Sequence, residues 1–187
     1  ETPLAQKDID VVIFRENTED VYRGIEYEQG SEQANRLRDF LKREFGEDVA
    51  ADAGIGIKPI TESASKRIVE QAIQFALDQG RPSVTIVHKG NIQKFTEGAF
   101  LKWGREVAKD KFGDRVIMQE DFWKDYGGDY SRLPQGKTVL RDRIADAMFQ
   151  DVIQNPASHH VVVTTNLNGD YLSDAYAATV GGLGLAP

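Results

Sequence analysis

From Ala53 onward the chain alternates short apolar or β-branched runs with longer segments of helical periodicity, and this alternation restricts the fold more than any other feature. SVTIVH (83–88) reads as a β-branched strand, DRVIMQ (114–119) as strand-like, and HHVVVTTN (159–166) as a strand. Between them lie amphipathic stretches. Thr61 and Ser63 open a helix through IVEQAIQFAL that ends near Gly80, and residues 94–112 place Phe95, Phe100, Leu101, Trp103, Val107 and Phe112 at helical spacing. DYGGDYSRLPQGKT (125–138) is rich in turn residues. TVLRDRIADAMFQDVIQN (138–155) is expected to be one long helix stopped at Asn155-Pro156, and a last helix is expected from Asp170 to Val180. Strands and helices in alternation give an α/β class.

The N-terminal part is organised differently. IDVVIF (9–14) suits a buried strand, and the charged stretch RENTED follows it. VYRGIEYE (21–28) and AGIGIKPIT (53–61) read as two extended pieces. They flank a helix over 31–45, stopped by Gly46, in which Ala34, Leu37, Phe40, Leu41 and Phe45 share a face. Residues ~20–60 are therefore expected to form a subdomain or an oligomerisation insert.

Composition narrows the function classes. A formal net charge of -7 argues against a general nucleic-acid or anionic-membrane surface. No apolar run approaches the ~20 residues of a membrane-spanning helix, and ETPLAQKDID lacks the basic and apolar regions of a signal peptide. Without cysteine there is no disulfide framework and no thiolate metal site, which fits a cytoplasmic location. The chain starts at Glu1 without a methionine and stops at GLGLAP, so it reads as a piece of something longer.

Four polar clusters fall at the ends of expected strands, where α/β proteins commonly build sites. Arg15, with Glu16, Asn17, Glu19, Asp20 and Tyr22 beside it, can grip a carboxylate bidentately; a local ion pair with Glu16 or Glu19 is the plainer alternative. In HKGN (88–91), Gly90 permits a sharp turn, so that Lys89 and Asn91 project from the strand end. Lys89 there is an anion binder, a base, or simply an exposed turn residue, and His88 is expected to be packed or hydrogen-bonded. Asp146 lies near the apolar boundary of its expected helix and wants a partner, for which Arg143 is the obvious candidate. In NLNGDYLSDA (166–175), Asp170 is placed to cap the last helix, with Asp174 one turn on. Carboxylates of this kind suit Mg²⁺ or Mn²⁺, although a cap beside a solvated second charge explains them equally. GGLGLAP lacks the strand–turn–helix setting of a dinucleotide fingerprint and reads as a terminator and connector. His159 and His160 are expected to open a strand at the surface, with no metal assigned to them.

Together, VIFRENTEDVYRGIE (12–26), VHKGNIQKFTEGAF (87–100), RIADAMFQ (143–150) and NLNGDYLSDA (166–175), in that order, resemble the isocitrate dehydrogenases of bacterial type. These belong to a family of metal-dependent decarboxylating dehydrogenases that includes isopropylmalate dehydrogenase. The resemblance implies an isopropylmalate dehydrogenase-like small, dimer-forming α/β domain over 1–19 and 61–187. It also implies a clasp-like subdomain over 20–60, with the large cofactor domain mostly missing. It further implies that Arg15 and Asn91 contact substrate, that Tyr22 and Lys89 are catalytic, and that Asp146, Asp170 and Asp174 bind Mg²⁺ or Mn²⁺. Lys89 and Asp146 would serve the active site of a second copy, making a homodimer with shared sites. The implied reaction is oxidative decarboxylation of isocitrate to 2-oxoglutarate with NADP, NAD being the alternative, and no cofactor-binding residues are assigned. As a separate piece the chain is expected to be inactive. The alternatives are a non-enzymatic dimerisation module and a relative acting on isopropylmalate or tartrate.

Overall fold

The structure is a computed structural model, and it describes residues 9–182. Its elements run β1 (Val12–Arg15), β2 (Glu26–Tyr27), α1 (Glu32–Phe45), β3 (Ile55–Gly56), α2 (Glu62–Asp78), β4 (Ser83–His88) and α3 (Glu97–Val107). They continue with β5 (Val116–Met118), α4 (Gln119–Tyr126), β6 (Thr138–Ile144), α5 (Ala145–Gln154), β7 (Val161–Thr164) and α6 (Asn166–Val180). Five strands form one sheet in the order β1-β7-β4-β6-β5, and every neighbouring pair is parallel.

The strand period of two divides the core between the faces of this sheet. Val84 and Ile86 of β4 and Val161 and Val163 of β7 pack with Val69, Ile73 and Phe100 of α2 and α3. Val87 and Val162 point the other way, onto Met148 and Val152 of α5 and Leu172 and Tyr176 of α6. All six residues of β4 are buried, as expected for a central parallel strand with helices on both sides. Each large side chain sealed this way contributes about 1.5–3 kcal/mol. On the first face α3 lies close to the sheet because it carries Gly104, where a Cβ would stand 2.6 Å from the Ile86 side chain.

Residues 20–60 stand outside this sheet. β2 and β3 pair antiparallel with each other alone, and α1 runs between them. Ser31 caps α1 by accepting from the Ala34 amide, and Gly46 ends it in the left-handed conformation.

Two local expectations are corrected. Residues 138–144 are not the first half of a long helix but the strand β6, hydrogen-bonded between β4 and β5. Their charges mimic a solvated helix face because each finds a distant partner: Arg141 donates to the Ser158 carbonyl (2.8 Å), Asp142 accepts from Arg105 (2.7 Å), and Arg143 donates to Asp151 (2.8 Å). The final helix starts at Asn166, with Thr165 as its N-cap, so Gly169 is helical and Asp170 lies in the second turn rather than at the cap. QEDFWKDY (119–126), for which no element was expected, is the helix α4, too short for its single buried residue, Phe122, to reveal a period. The glycine run ends α6 at Gly181 and Gly182, both with positive φ, and its remainder lies outside the described residues.

Candidate functional site

Because all five strands are parallel, the residues that follow β1, β7, β4 and β6 emerge along one edge of the sheet. Arg15 ends β1, Asn166 and Asp170 follow β7, Lys89 follows β4, and Asp146 follows β6. Sequence positions as far apart as 15 and 170 meet there.

At the β1–β7 end, Arg15 donates through Nε to Asn166 Oδ1 (2.9 Å) and forms an ion pair through Nη1 with Asp170 Oδ1 (2.8 Å). Its guanidinium also lies 5.0 Å from the centre of the Tyr22 ring. Hydrogen bonding to the Asp170 carboxylate, followed by desolvation, holds the Tyr22 phenol above the usual tyrosine range. Asp174, one turn beyond Asp170 on α6, lines the same cleft together with Arg15 and Ser173. The positive group that relieves the repulsion between the two aspartates is thus Arg15, not a neighbour in sequence.

Gly169 makes this arrangement possible. A Cβ there would stand 2.4 Å from Thr164 Oγ1 and 2.6 Å from Arg15 Cγ, so only glycine lets α6 pass over the arginine stem. The local pairing of Arg15 with Glu16 or Glu19 does not occur. Glu16 turns inward to accept from Thr18, and Glu19 accepts from both the amide and the hydroxyl of Thr61, closing the N-cap of α2.

At the β4–β6 part of the edge, the Lys89 ammonium lies against both carboxylate oxygens of Asp146, which holds that carboxyl below its ordinary value. Asp146 sits in the first turn of α5 and is largely exposed, away from the apolar boundary expected of it. Arg143 is engaged by Asp151 instead. His88 is buried: its Nδ1 accepts from the Gly90 amide (3.0 Å), which leaves the Nε2 proton for Asp142 (3.3 Å). Gly90 rests on Gly98, where a Cβ would come within 2.7 Å of the Gly98 Cα, so the turn carrying Lys89 is seated on the start of α3. Asn91 is exposed in that turn and makes no side-chain hydrogen bond with the other candidate residues among those described.

The structure therefore sorts the candidate residues into two half-sites, one holding Arg15, Tyr22, Asp170 and Asp174 and the other Lys89 and Asp146. The three aspartates do not converge, and among the described residues no cluster of three or more His, Cys, Asp or Glu could hold a metal ion. Asp170 and Asp174 alone offer hard oxygen donors that fit part of a Mg²⁺ or Mn²⁺ shell, which takes about six.

Beneath both half-sites runs a buried polar network that sequence reasoning passed over. Glu97, Asp20 and Asn166 are almost fully buried, and Lys58 bridges Glu97 (2.8 Å) and Asp20 (3.3 Å). Asp20 is the one non-glycine residue with positive φ among those described. It is held in that conformation by bonds from the Val21 and Leu167 amides. Asn166 and Glu97 lie inside the stretches that carry the family resemblance, so the signal was present, but nothing local distinguishes a buried carboxylate from a solvated one.

Comparison with known proteins matches residues 1–187 to the family model described as isocitrate/isopropylmalate dehydrogenase. The chain is 56% identical over 179 residues to the isocitrate dehydrogenase (NADP) of Archaeoglobus fulgidus, covering 96% of this chain and 43% of that protein. It is 53% identical to the isocitrate dehydrogenase (NADP) of Haloferax volcanii, with the same coverage. Among solved structures, the isocitrate dehydrogenase of Methylococcus capsulatus superposes with a TM-score of 0.71 at 34% identity, over 98% of this chain and 42% of that one. The chain thus spans less than half the length of the curated relatives it matches.

Proposed function

The chain belongs to the isocitrate/isopropylmalate dehydrogenase family, and on that premise we propose that it supplies the substrate- and metal-binding portion of an NADP-dependent isocitrate dehydrogenase. The observation that carries this reading is the splitting of the candidate residues into two half-sites along one sheet edge, each incomplete alone. In a homodimer, the Lys89–Asp146 half of one copy faces the Arg15–Asp174 half of the other, and Asp146 completes the carboxylate set begun by Asp170 and Asp174.

When bound, the divalent cation and the nicotinamide supply Lewis acidity at the substrate's hydroxyl and carboxylate oxygens and an acceptor for hydride. The protein groups do the rest. Arg15 orients a substrate carboxylate, with Asn166 holding its Nε side and so fixing the plane of the guanidinium. Lys89, once it has left Asp146 and given its own proton to solvent, takes the hydroxyl proton as the free amine while the carbinol is oxidised, and Asn91 contacts the substrate beside it. Tyr22 returns a proton to the carbon that loses CO₂. A phenol held above its usual range stays protonated at neutral pH, the form a donor needs.

Turnover is expected of the full-length protein and not of these 187 residues alone. The full-length protein is assayed with isocitrate, isopropylmalate and tartrate, each with NADP and with NAD. Preference for isocitrate and NADP supports the reading; preference for another acid overturns the substrate. The shared site is tested by refolding Lys89→Met and Asp170→Asn variants together. A mixed dimer then has one intact site, so an equimolar mixture of two inactive proteins should regain about a quarter of wild-type activity. No recovery would exclude a site built from two copies.

A further inference from the structure

We propose that Glu97 is a positioning residue that fixes the two half-sites relative to each other. Its side chain is fully buried at the start of α3, and it accepts from four donors on three separate parts of the chain. Oε1 takes Lys58 Nζ (2.8 Å) and Thr165 Oγ1 (2.9 Å); Oε2 takes the Lys89 amide (3.0 Å) and Asn168 Nδ2 (2.8 Å). The Lys89 amide belongs to the turn that carries the catalytic lysine. Thr165 and Asn168 flank the start of α6, whose next turn holds Asp170 and Asp174. Lys58 extends the tie to Asp20, two residues before Tyr22.

A carboxylate is required here, not merely a polar group of this shape. An ionised carboxylate accepts at both oxygens, whereas a glutamine at 97 turns an NH₂ toward one pair of donors. One pair contains the Lys58 ammonium and the other a backbone amide, and neither can reverse its role. In either orientation Glu97→Gln sets donor against donor and leaves buried groups unpaired. In the dimer of the proposed function, on which this consequence rests, the Lys89 turn serves one active site and α6 the other. Glu97 then links neighbouring sites through hydrogen bonds made within one chain.

The test compares wild-type and Glu97→Gln full-length protein by hydrogen exchange. The variant should exchange about 10- to 100-fold faster in residues 89–92 and in 166–170 together, the range expected for losing charge-assisted buried bonds. The distant β5–α4 segment should be unchanged. Faster exchange in only one of the two segments, in neither, or evenly throughout overturns the proposal. If Glu97→Gln does not yield folded protein, Lys58→Met removes one donor of the same set and should loosen both segments to a smaller extent; loosening confined to one sinks the idea.

Turnover gives the readout that a packing defect would not move. Glu97→Gln should lower kcat about tenfold or more with a smaller change in KM. An unchanged kcat in Glu97→Gln overturns the role. Failure of the wild type to oxidise isocitrate would defeat the functional reading, while the exchange measurement would still decide the role of Glu97.

Discussion

Two clusters in this molecule use the same residue types to opposite ends. Between α5 and the sheet, His159 is fully buried, with Nδ1 3.0 Å from Thr85 Oγ1 and Nε2 3.1 Å from Asp151 Oδ2, and Asp151 is itself held by Arg143. A hydroxyl, an imidazole and a carboxylate in line resemble a catalytic relay, but these three are sealed, and only Arg143, on the outer side of Asp151, reaches solvent. Along the carboxyl edge, Arg15, Asp170, Lys89 and Asp146 are also paired, yet each keeps a quarter or more of its side chain in solvent. Chemistry needs groups that can exchange partners, and only the open edge has them. The sealed cluster belongs to stability, which also corrects the expectation that His159 lies at the surface.

Substitutions should separate these roles. The largest effect is expected at the edge: Asp170→Asn in the full-length protein should lower turnover by about 100-fold or more, on the scale of losing an electrostatic stabiliser, and should weaken Mn²⁺ binding in calorimetry. Unfolding by urea should change by about 1 kcal/mol or less, because both members of the Arg15–Asp170 pair reach solvent. A large stability loss without loss of Mn²⁺ affinity would collapse the distinction.

Next comes the sealed cluster. Asp151→Ala leaves Arg143 and the buried His159 Nε2 without their shared partner and should cost about 2–3 kcal/mol in urea unfolding, while Mn²⁺ binding by folded protein is unchanged. His159 also gives the molecule a pH dependence. Burial, aided by the nearby Arg141 charge, pushes its imidazole down to about 4, against an ordinary value of 6.5. The unfolded chain therefore binds more protons in between, so stability is complete above about pH 6.5 and falls toward pH 4 by up to about 3 kcal/mol. Urea midpoints measured at pH 7.5 and 5 should show the loss in wild type and a smaller one in His159→Gln. Equal slopes in the two proteins would remove His159 as the source.

The smallest of these effects joins the two regions. Gly169→Ala places a methyl group against Arg15 and Thr164 and should cost about 1–3 kcal/mol as overpacking. Because it shifts the arginine stem, it should also raise the KM for isocitrate. A stability loss with unaltered KM would mean that Arg15 does not depend on the glycine for its position.

The candidate site was legible to different depths. Arg15, Lys89, Asp170 and Asp174 were named from strand ends, Asp146 from the boundary of its expected helix, and all five from the family resemblance; the structure draws them to one edge. Their partners were not legible. Arg15 reaches Asp170 rather than Glu16 because Glu16 is consumed by the turn at Thr18. Asp146 takes Lys89 because Arg143 is held by Asp151 further along the same helix. Glu97 was invisible as a hub because its four donors come from positions 58, 89, 165 and 168.

The sequence by itself determined the α/β class, the helix α2, the strands β4 and β7, and the identity of the groups able to do chemistry. These follow from local periodicity and from short motifs, which any stretch of chain carries within itself. The tertiary structure alone decided that 138–144 is a strand, that Asp170 lies one turn inside its helix, and that the reactive groups divide into two half-sites. The physical reason is the same in each case. Periodicity reports burial faithfully only where one face of an element is apolar and the other is wet. Where distant charges neutralise one another, a buried strand can read like a solvated helix, and only the partners across the sheet settle which it is.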